Sequence, residues 1–116
     1  MISKFALAAK NGDDIVIFGD GEQSRDFIHV RDIARANYLA AMDNKSKILN
    51  VASGREITIN ELAKSFQKLA TKEIEIIYKD AAIGDIRYSR ADVSKIKKSY
   101  NFTAEKSVTD TIKELL

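Results

Sequence analysis

The chain has 116 residues, about the length of one domain, and its 45% hydrophobic and 31% charged residues are typical of a globular protein. A net charge of +2 gives no electrostatic case for nucleic-acid binding, and no apolar run approaches the roughly 20 residues of a membrane span. The absence of cysteine and the single histidine exclude disulfides, thiolate metal sites and a multi-histidine metal site within one chain. No secretory signal pattern is present in the first dozen residues, so we expect a cytoplasmic protein.

The first predicted element is a helix over residues 2–11, with apolar residues at helical spacing and Gly12 where the helix should end. No capping residue precedes its apolar face, and we therefore expect the chain to be cut from a longer one. Residues Asp14 to Phe18 are rich in β-branched side chains and predict a strand. A loop with two glycines follows it, and then a short second strand that positions Arg25.

The remainder of the chain also alternates between helical and strand-like patterns. A helix is predicted from about Asp32 to Asp43, and a strand at Lys47 to Val51. The next helix starts at the capping box of Thr58 and Glu61, and a strand at Glu73 to Tyr78 follows it. Asp92 and Ser107 cap the two last helices. No linker or repeat divides the chain. The patterns therefore predict one α/β domain over residues 1–116, with about five helices and several short strands.

Two polar loops, about sixty residues apart, carry side chains that suit a nucleotide. Arg25 follows two glycines and can pair with a pyrophosphate, whereas Asp85 follows Gly84 and can accept hydrogen bonds from ribose hydroxyls. Phe18 can pack on a base. Spacing alone also fits ordinary turns, a surface ion pair at Arg25 and Asp85, and a Phe18 side chain in the core.

The order of several motifs resembles the C-terminal part of the NAD-dependent sugar-nucleotide epimerases and dehydratases, the extended short-chain dehydrogenase/reductase family, whose best-known member is UDP-glucose 4-epimerase. The resemblance runs through practically the whole chain, and its motifs are Ile17–Ala34, Leu49–Gly54, Gly84–Arg87 and Ala91–Lys95. It implies a small substrate-binding lobe without the Rossmann domain, which holds the nucleoside diphosphate of a UDP- or dTDP-sugar.

The resemblance also implies roles for individual residues. Arg25 would contact the pyrophosphate and Asp85 the ribose hydroxyls, while the backbone near Val16 and the ring of Phe18 would contact the base. Arg87 would either contact the ligand or form a salt bridge. His29 matches a family position that often holds His or Tyr, and a lone histidine in a strand is more often structural than catalytic.

The chain departs from the family pattern at one binding position. Family members often carry an arginine, a second phosphate contact, where this sequence has Ala82. The loss of such a charge-assisted pair typically costs roughly 1.5 to 3 kcal/mol. Arg87 or Arg90 could take that role, or the ligand could differ.

The catalytic elements of the family are not found in this sequence. It lacks the glycine-rich dinucleotide fingerprint, and no tyrosine is followed four residues later by lysine. We therefore expect no catalytic residues, no metal and no cofactor in this chain, with NAD in a full-length parent.

We expect the missing Rossmann domain and a nucleotide sugar as partners, together with self-association through an exposed apolar patch. The alternative is a non-catalytic regulatory or protein-interaction module of the same fold. The sugar, the base and the choice between epimerase and dehydratase stay open.

Overall fold

The computed structural model describes residues 1–81 and 83–116. In chain order, these residues form α1 (Ile2–Asn11), β1 (Ile15–Phe18), β2 (Ser24–Arg25), α2 (Val30–Ala41), β3 (Ile57–Thr58), α3 (Ile59–Leu69), β4 (Ile76–Lys79), α4 (Ser94–Tyr100) and α5 (Val108–Leu115). The predicted α/β class is therefore confirmed, and the two capping boxes of α3 and α5 form as the sequence indicates.

Two small sheets bring distant parts of the chain together. Strand β1 pairs with β4 in parallel, with Ile15 opposite Ile76 and Phe18 opposite Lys79. Strand β2 pairs with β3 in antiparallel orientation, with Arg25 opposite Ile57. Since β3 leads directly into α3, the second sheet fixes Arg25 relative to that helix.

The main core lies between β1, α1, α3 and α5. Phe66 of α3 is fully buried, and its ring meets that of Phe5 edge to face at 6.1 Å between centroids. Ile15 and Ile17 of β1 point into the same core, and Ile112 of α5 closes it. The apolar faces predicted for α1, α3 and α5 supply most of this packing.

A second, smaller core joins α2, α4 and the segment before β3. Its buried members are Ala36, Ile96 and Phe102, and Leu49 and Val51 pack against them. The buried carboxylate of Asp32 accepts hydrogen bonds from the N–H groups of Glu105 and Lys106 and from Arg35, and it thereby links the start of α2 to the segment before α5.

Some predicted elements differ from the observed ones. The strand at Lys47 to Val51 is wrong, since no neighbouring strand among the described residues pairs with this segment. The second strand is only two residues long, because the chain leaves β3 after Arg25. Asp92 lies one residue before the cap of α4, although its carboxylate still accepts the Ser94 N–H at 2.8 Å.

The described chain is flat and one face of its parallel sheet is uncovered. Its dimensions are 50 × 31 × 15 Å and its radius of gyration is 16.3 Å, against about 13 Å for a compact domain of about 100 residues. Phe18 and Ile77 lie on one face of this sheet and are exposed, whereas parallel sheets are usually covered on both faces. Among the described residues, no helix is both long and apolar enough to cross a membrane.

Candidate functional site

The loop between β1 and β2 is shaped by two glycines and held by the first turn of α3. Gly19 and Gly21 have φ angles of +85° and +75°, in the left-handed region that favours glycine. The Asn60 N–H donates to the Gly21 carbonyl, and its Nδ2 donates to the Asp20 carbonyl, both at 3.0 Å. The Tyr78 hydroxyl of β4 donates to Asn60 Oδ1 at 2.9 Å. The loop is thus tied to both α3 and β4.

Gly21 has no room for a side chain, which gives a first prediction. A Cβ atom there would lie 2.0 Å from Asn60 Oδ1, and an L-residue at this φ costs about 1–2 kcal/mol by itself. We expect Gly21→Ala to lower the free energy of unfolding by about 2 kcal/mol in urea titrations. Gly84→Ala is the matched control, because its φ is +82° but no described atom lies within 4 Å of its Cβ. Equal losses in the two variants would contradict the steric contribution of Asn60.

Arg25 connects the two polar loops. Its NH2 lies 2.5 Å from Asp85 Oδ1, and its NH1 donates to the carbonyls of Ile86 at 2.5 Å and Ser24 at 2.7 Å. The two loops therefore lie side by side, and the Arg25 and Asp85 side chains form an ion pair, which is the alternative that their spacing left open. A guanidinium has five N–H donors, of which these contacts engage three. Two donors are left for an anion.

Asp85 is held by a second residue besides Arg25. The side-chain amide of Gln23 donates to Asp85 Oδ2 at 3.3 Å and to the Phe18 carbonyl at 2.9 Å. Each carboxylate oxygen can accept about two hydrogen bonds. Asp85 therefore keeps acceptor capacity on both oxygens, as a ribose diol requires.

Arg87 forms a separate ion pair at the mouth of the glycine loop. Its NH1 lies 2.8 Å from Asp20 Oδ1 and 2.9 Å from Oδ2, and both side chains are exposed. The Glu22 N–H and the Arg87 guanidinium hold the pKa of Asp20 below its usual value. The same hydrogen bond to Asp20 raises the pKa of Arg87. The salt-bridge interpretation of Arg87 thus describes this structure.

Val16 and Phe18 lie beside an apolar cavity of about 560 Å³ between β1 and α1, which Gln23 and Asp85 also line. Phe18 is 51% exposed, so its interpretation as a core residue is wrong. It also borders a smaller cavity of about 220 Å³ with Asp85 and Arg87. Four of the five predicted site residues therefore line adjoining cavities, and the fifth, Arg25, is bonded to Asp85.

His29 is part of the fold rather than of these cavities. It is buried and caps the N-terminus of α2, where its Nδ1 accepts the Arg31 N–H at 3.1 Å. Its Nε2 lies 3.1 Å from Glu114 Oε2 of α5. These contacts favour the structural interpretation of the histidine.

Gln23 and Asn60 belong to the site although no sequence pattern indicates them. Gln23 is an ordinary polar loop residue and Asn60 lies in the first turn of α3, and their partners Asp85 and Tyr78 follow them by 62 and 18 residues. Their position depends on the parallel pairing of β1 with β4, which amphipathic spacing does not reveal.

Ala82, which stands where family members often carry an arginine, lies outside the described residues. Of the two arginines that could take the missing role, Arg87 lines the 220 Å³ cavity with Phe18 and Asp85. Arg90 instead lines a separate cavity beside Gly54. The geometry therefore favours Arg87 over Arg90 as a second cation for an anionic ligand.

The loop of Gly19 and Gly21 differs from a dinucleotide fingerprint. The Gly19-x-Gly21 pair leads into strand β2, whereas the dinucleotide fingerprint opens a helix whose N-terminus binds the pyrophosphate. Within residues 1–81 and 83–116, no group of three or more His, Cys, Asp or Glu side chains could hold a metal ion.

Comparison with known proteins extends over the whole chain. A family model described as the NAD dependent epimerase/dehydratase family matches residues 1–52. A curated relative, the putative UDP-glucose 4-epimerase of Methanocaldococcus jannaschii, is 34% identical over 116 residues, which is all of this chain and 37% of the relative. The chain thus spans about a third of the length of the curated relatives that it matches.

Solved structures agree with this match. The UDP-glucose 4-epimerase of Thermotoga maritima, solved with UDP-glucose, has a TM-score of 0.90 and 32% identity over 97% of this chain and 36% of its own. MoeE5 in complex with UDP-glucuronic acid and NAD has a TM-score of 0.86 and 34% identity over 97% of this chain and 38% of its own.

Proposed function

Because the chain belongs to the NAD-dependent epimerase/dehydratase family, we propose that it is the lobe of such an enzyme that binds the nucleoside diphosphate of a sugar-nucleotide substrate. The observation that carries this proposal is the meeting of Arg25 and Asp85 at 2.5 Å beside cavities lined by Val16 and Phe18. A cation, a carboxylate and an aromatic ring on one surface match the phosphate, ribose and base of a nucleotide.

Arg25 binds the pyrophosphate in this proposal, and Asp85 binds the ribose hydroxyls. The two N–H donors of Arg25 that lack a described partner can reach a phosphate while the pair with Asp85 persists. Asp85 likewise has acceptor capacity left on each oxygen. The ligand therefore adds hydrogen bonds to the ion pair and does not have to break it.

The base lies against β1 in the same proposal. The backbone near Val16 offers hydrogen bonds, and the half-exposed ring of Phe18 offers a surface for stacking. Arg87 contributes positive charge at the mouth of the smaller cavity, where Asp20 now holds it.

Catalysis belongs to the parent enzyme, and this lobe alone would not turn over substrate. We expect NAD in that parent, as in the complex of MoeE5, bound by a Rossmann domain that packs on this lobe. The exposed face of the parallel sheet supports such packing, since the apolar side chain of Ile77 is exposed on it. Without that domain, the same face would promote self-association. The cytoplasmic location stays a prediction.

Isothermal titration calorimetry tests the proposal directly. We expect heat of binding with UDP or dTDP and none with uridine at the same concentration, because uridine lacks the phosphates that Arg25 binds. The protein should be used as its gene encodes it, so that any neighbouring domain is present. If no nucleotide binds at millimolar concentration while circular dichroism shows a folded protein, the proposal fails, and the protein-interaction alternative is favoured.

A further inference from the structure

Gln23 lies between the two halves of the proposed nucleotide site, the end of β1 and the loop around Asp85. Gln23 is only 6% exposed, although it belongs to a surface loop. A buried amide is costly unless its polar atoms are hydrogen bonded. Its backbone is also fixed, because the Ile59 N–H at the start of α3 donates to the Gln23 carbonyl at 3.0 Å.

The orientation of the Gln23 amide follows from its partners. Its nitrogen faces the Phe18 carbonyl at 2.9 Å and Asp85 Oδ2 at 3.3 Å, and both of these oxygens can only accept. The NH₂ group must therefore point to them, with its oxygen turned the other way. One side chain thus connects the strand that would face the base with the carboxylate that would face the ribose.

Asp85 depends on this contact because its own segment has no regular structure. Arg25 holds one carboxylate oxygen at 2.5 Å, and a side chain held at a single oxygen can still pivot about that contact by combined rotations about its Cα–Cβ and Cβ–Cγ bonds. The Gln23 amide holds the other oxygen and removes that freedom. Both oxygens then keep a fixed direction relative to the Phe18 backbone.

We propose that Gln23 is a positioning residue for nucleotide binding: it orients the Asp85 carboxylate toward the ribose hydroxyls and fixes it relative to the end of β1. This assignment rests on the proposed function of the site. Gln23 acts through Asp85, so its effect depends on the ribose hydroxyl that Asp85 would bind.

Gln23→Glu tests this role, because the two side chains have nearly the same shape. At pH 8 the new carboxylate faces Asp85 and the Phe18 carbonyl, and it can only repel them. We expect the affinity for UDP to fall about tenfold in calorimetry. The neighbouring carboxylate raises the pKa of the new glutamic acid, and at a pH low enough to protonate it, its single O–H can donate to Asp85 Oδ2. Relative to wild type at the same pH, most of the lost affinity should return.

Comparison with 2′-deoxy-UDP separates positioning from general damage. Wild type should bind UDP about tenfold more tightly than 2′-deoxy-UDP, and the ratio should approach one in Gln23→Glu at pH 8. Gln67→Glu is the matched control, because its amide also donates to a backbone carbonyl, that of Ile74 at 2.8 Å, but lies outside the site. The assignment would be overturned if the ratio of the affinities for UDP and 2′-deoxy-UDP were unchanged in Gln23→Glu. It would also be overturned if this ratio changed equally in Gln67→Glu.

Nuclear magnetic resonance tests the positioning without a nucleotide. The Hα–Hβ couplings of Asp85 should report one side-chain rotamer in wild type and an average of rotamers in Gln23→Glu at pH 8. If wild type binds no UDP, the proposed function fails, whereas averaged couplings in wild type itself would overturn the positioning by Gln23. The two failures are therefore distinguishable.

Discussion

Replacing Arg25 by alanine should lower the affinity for UDP about 100-fold. The substitution removes the guanidinium that would pair with the pyrophosphate, and it also removes the group that holds Asp85 Oδ1. The second effect matters because the Asp85 side chain is 36% exposed and, among the described residues, keeps only the side-chain contact to Gln23. Calorimetry with UDP measures the loss.

Two further variants define what the arginine contributes. Arg25→Lys keeps the charge but loses the planar donor fork, so its affinity should lie between those of wild type and Arg25→Ala. Arg31→Ala is the control for charge, because Arg31 is an exposed arginine in the first turn of α2. If Arg25→Ala bound UDP as wild type does, the pyrophosphate role of Arg25 would be wrong.

Asp32→Asn should lower the free energy of unfolding by about 3 kcal/mol at pH 7. Asp32 is 2% exposed, and its carboxylate accepts from the Lys106 and Glu105 N–H groups at 3.0 and 3.1 Å and from Arg35 at 3.0 Å. The Asp32→Asn substitution replaces one carboxylate oxygen by an NH₂ group, which cannot accept a hydrogen bond from the N–H donors that faced that oxygen. It also leaves the partly buried Arg35 without a counter-charge on α2. Urea unfolding measures the loss, and Asp80→Asn, at an exposed aspartate, should change stability little.

The effect of Asp32 should depend on pH in a defined direction. Burial disfavours the ionised carboxyl, but the hydrogen bonds from Lys106, Arg35 and Glu105 outweigh it and hold the pKa of Asp32 below its usual value. The folded protein is therefore stabilised by this group above the unfolded pKa of about 3.9, and the stabilisation is lost as the pH falls through the folded pKa. The difference between wild type and Asp32→Asn should shrink in acid. A constant difference from pH 7 to pH 2 would contradict this explanation.

Local signals account for the elements that the sequence predicted well. The capping boxes at Thr58 and Ser107 are complete within four residues, and the helices that follow them bury the predicted apolar faces. The segment from Lys47 to Val51 has strand propensity, but a strand requires a partner, and propensity carries no information about one. Leu49 and Val51 instead pack against the second core of Ala36, Ile96 and Phe102, whereas Ile48 is exposed.

The sequence predicted only some of the residues of the candidate site. Arg25 and Asp85 could be paired because the order of distant motifs resembles a family, whereas their spacing alone fitted a surface ion pair as well. Gln23 was not predicted as a site residue because its partner Asp85 lies 62 residues away. Nothing in the sequence near Gln23 distinguishes it from a solvated loop residue. The exposed ring of Phe18 was ambiguous for a related reason, since the face of β1 that is covered depends on the packing of α1 and α3.

The parallel pairing of β1 with β4 has a consequence for how the chain folds. Ile15 meets Ile76 across the sheet, so the intervening segment must close into a large loop before the first ladder hydrogen bond forms. Contacts of such long range make folding slow, and they form after the local helices. Arg25 and Asp85 come together only through this closure, so a partly folded chain has helices but lacks the proposed nucleotide site. If the proposed site binds a nucleotide, that nucleotide would stabilise only the completely folded state, by mass action.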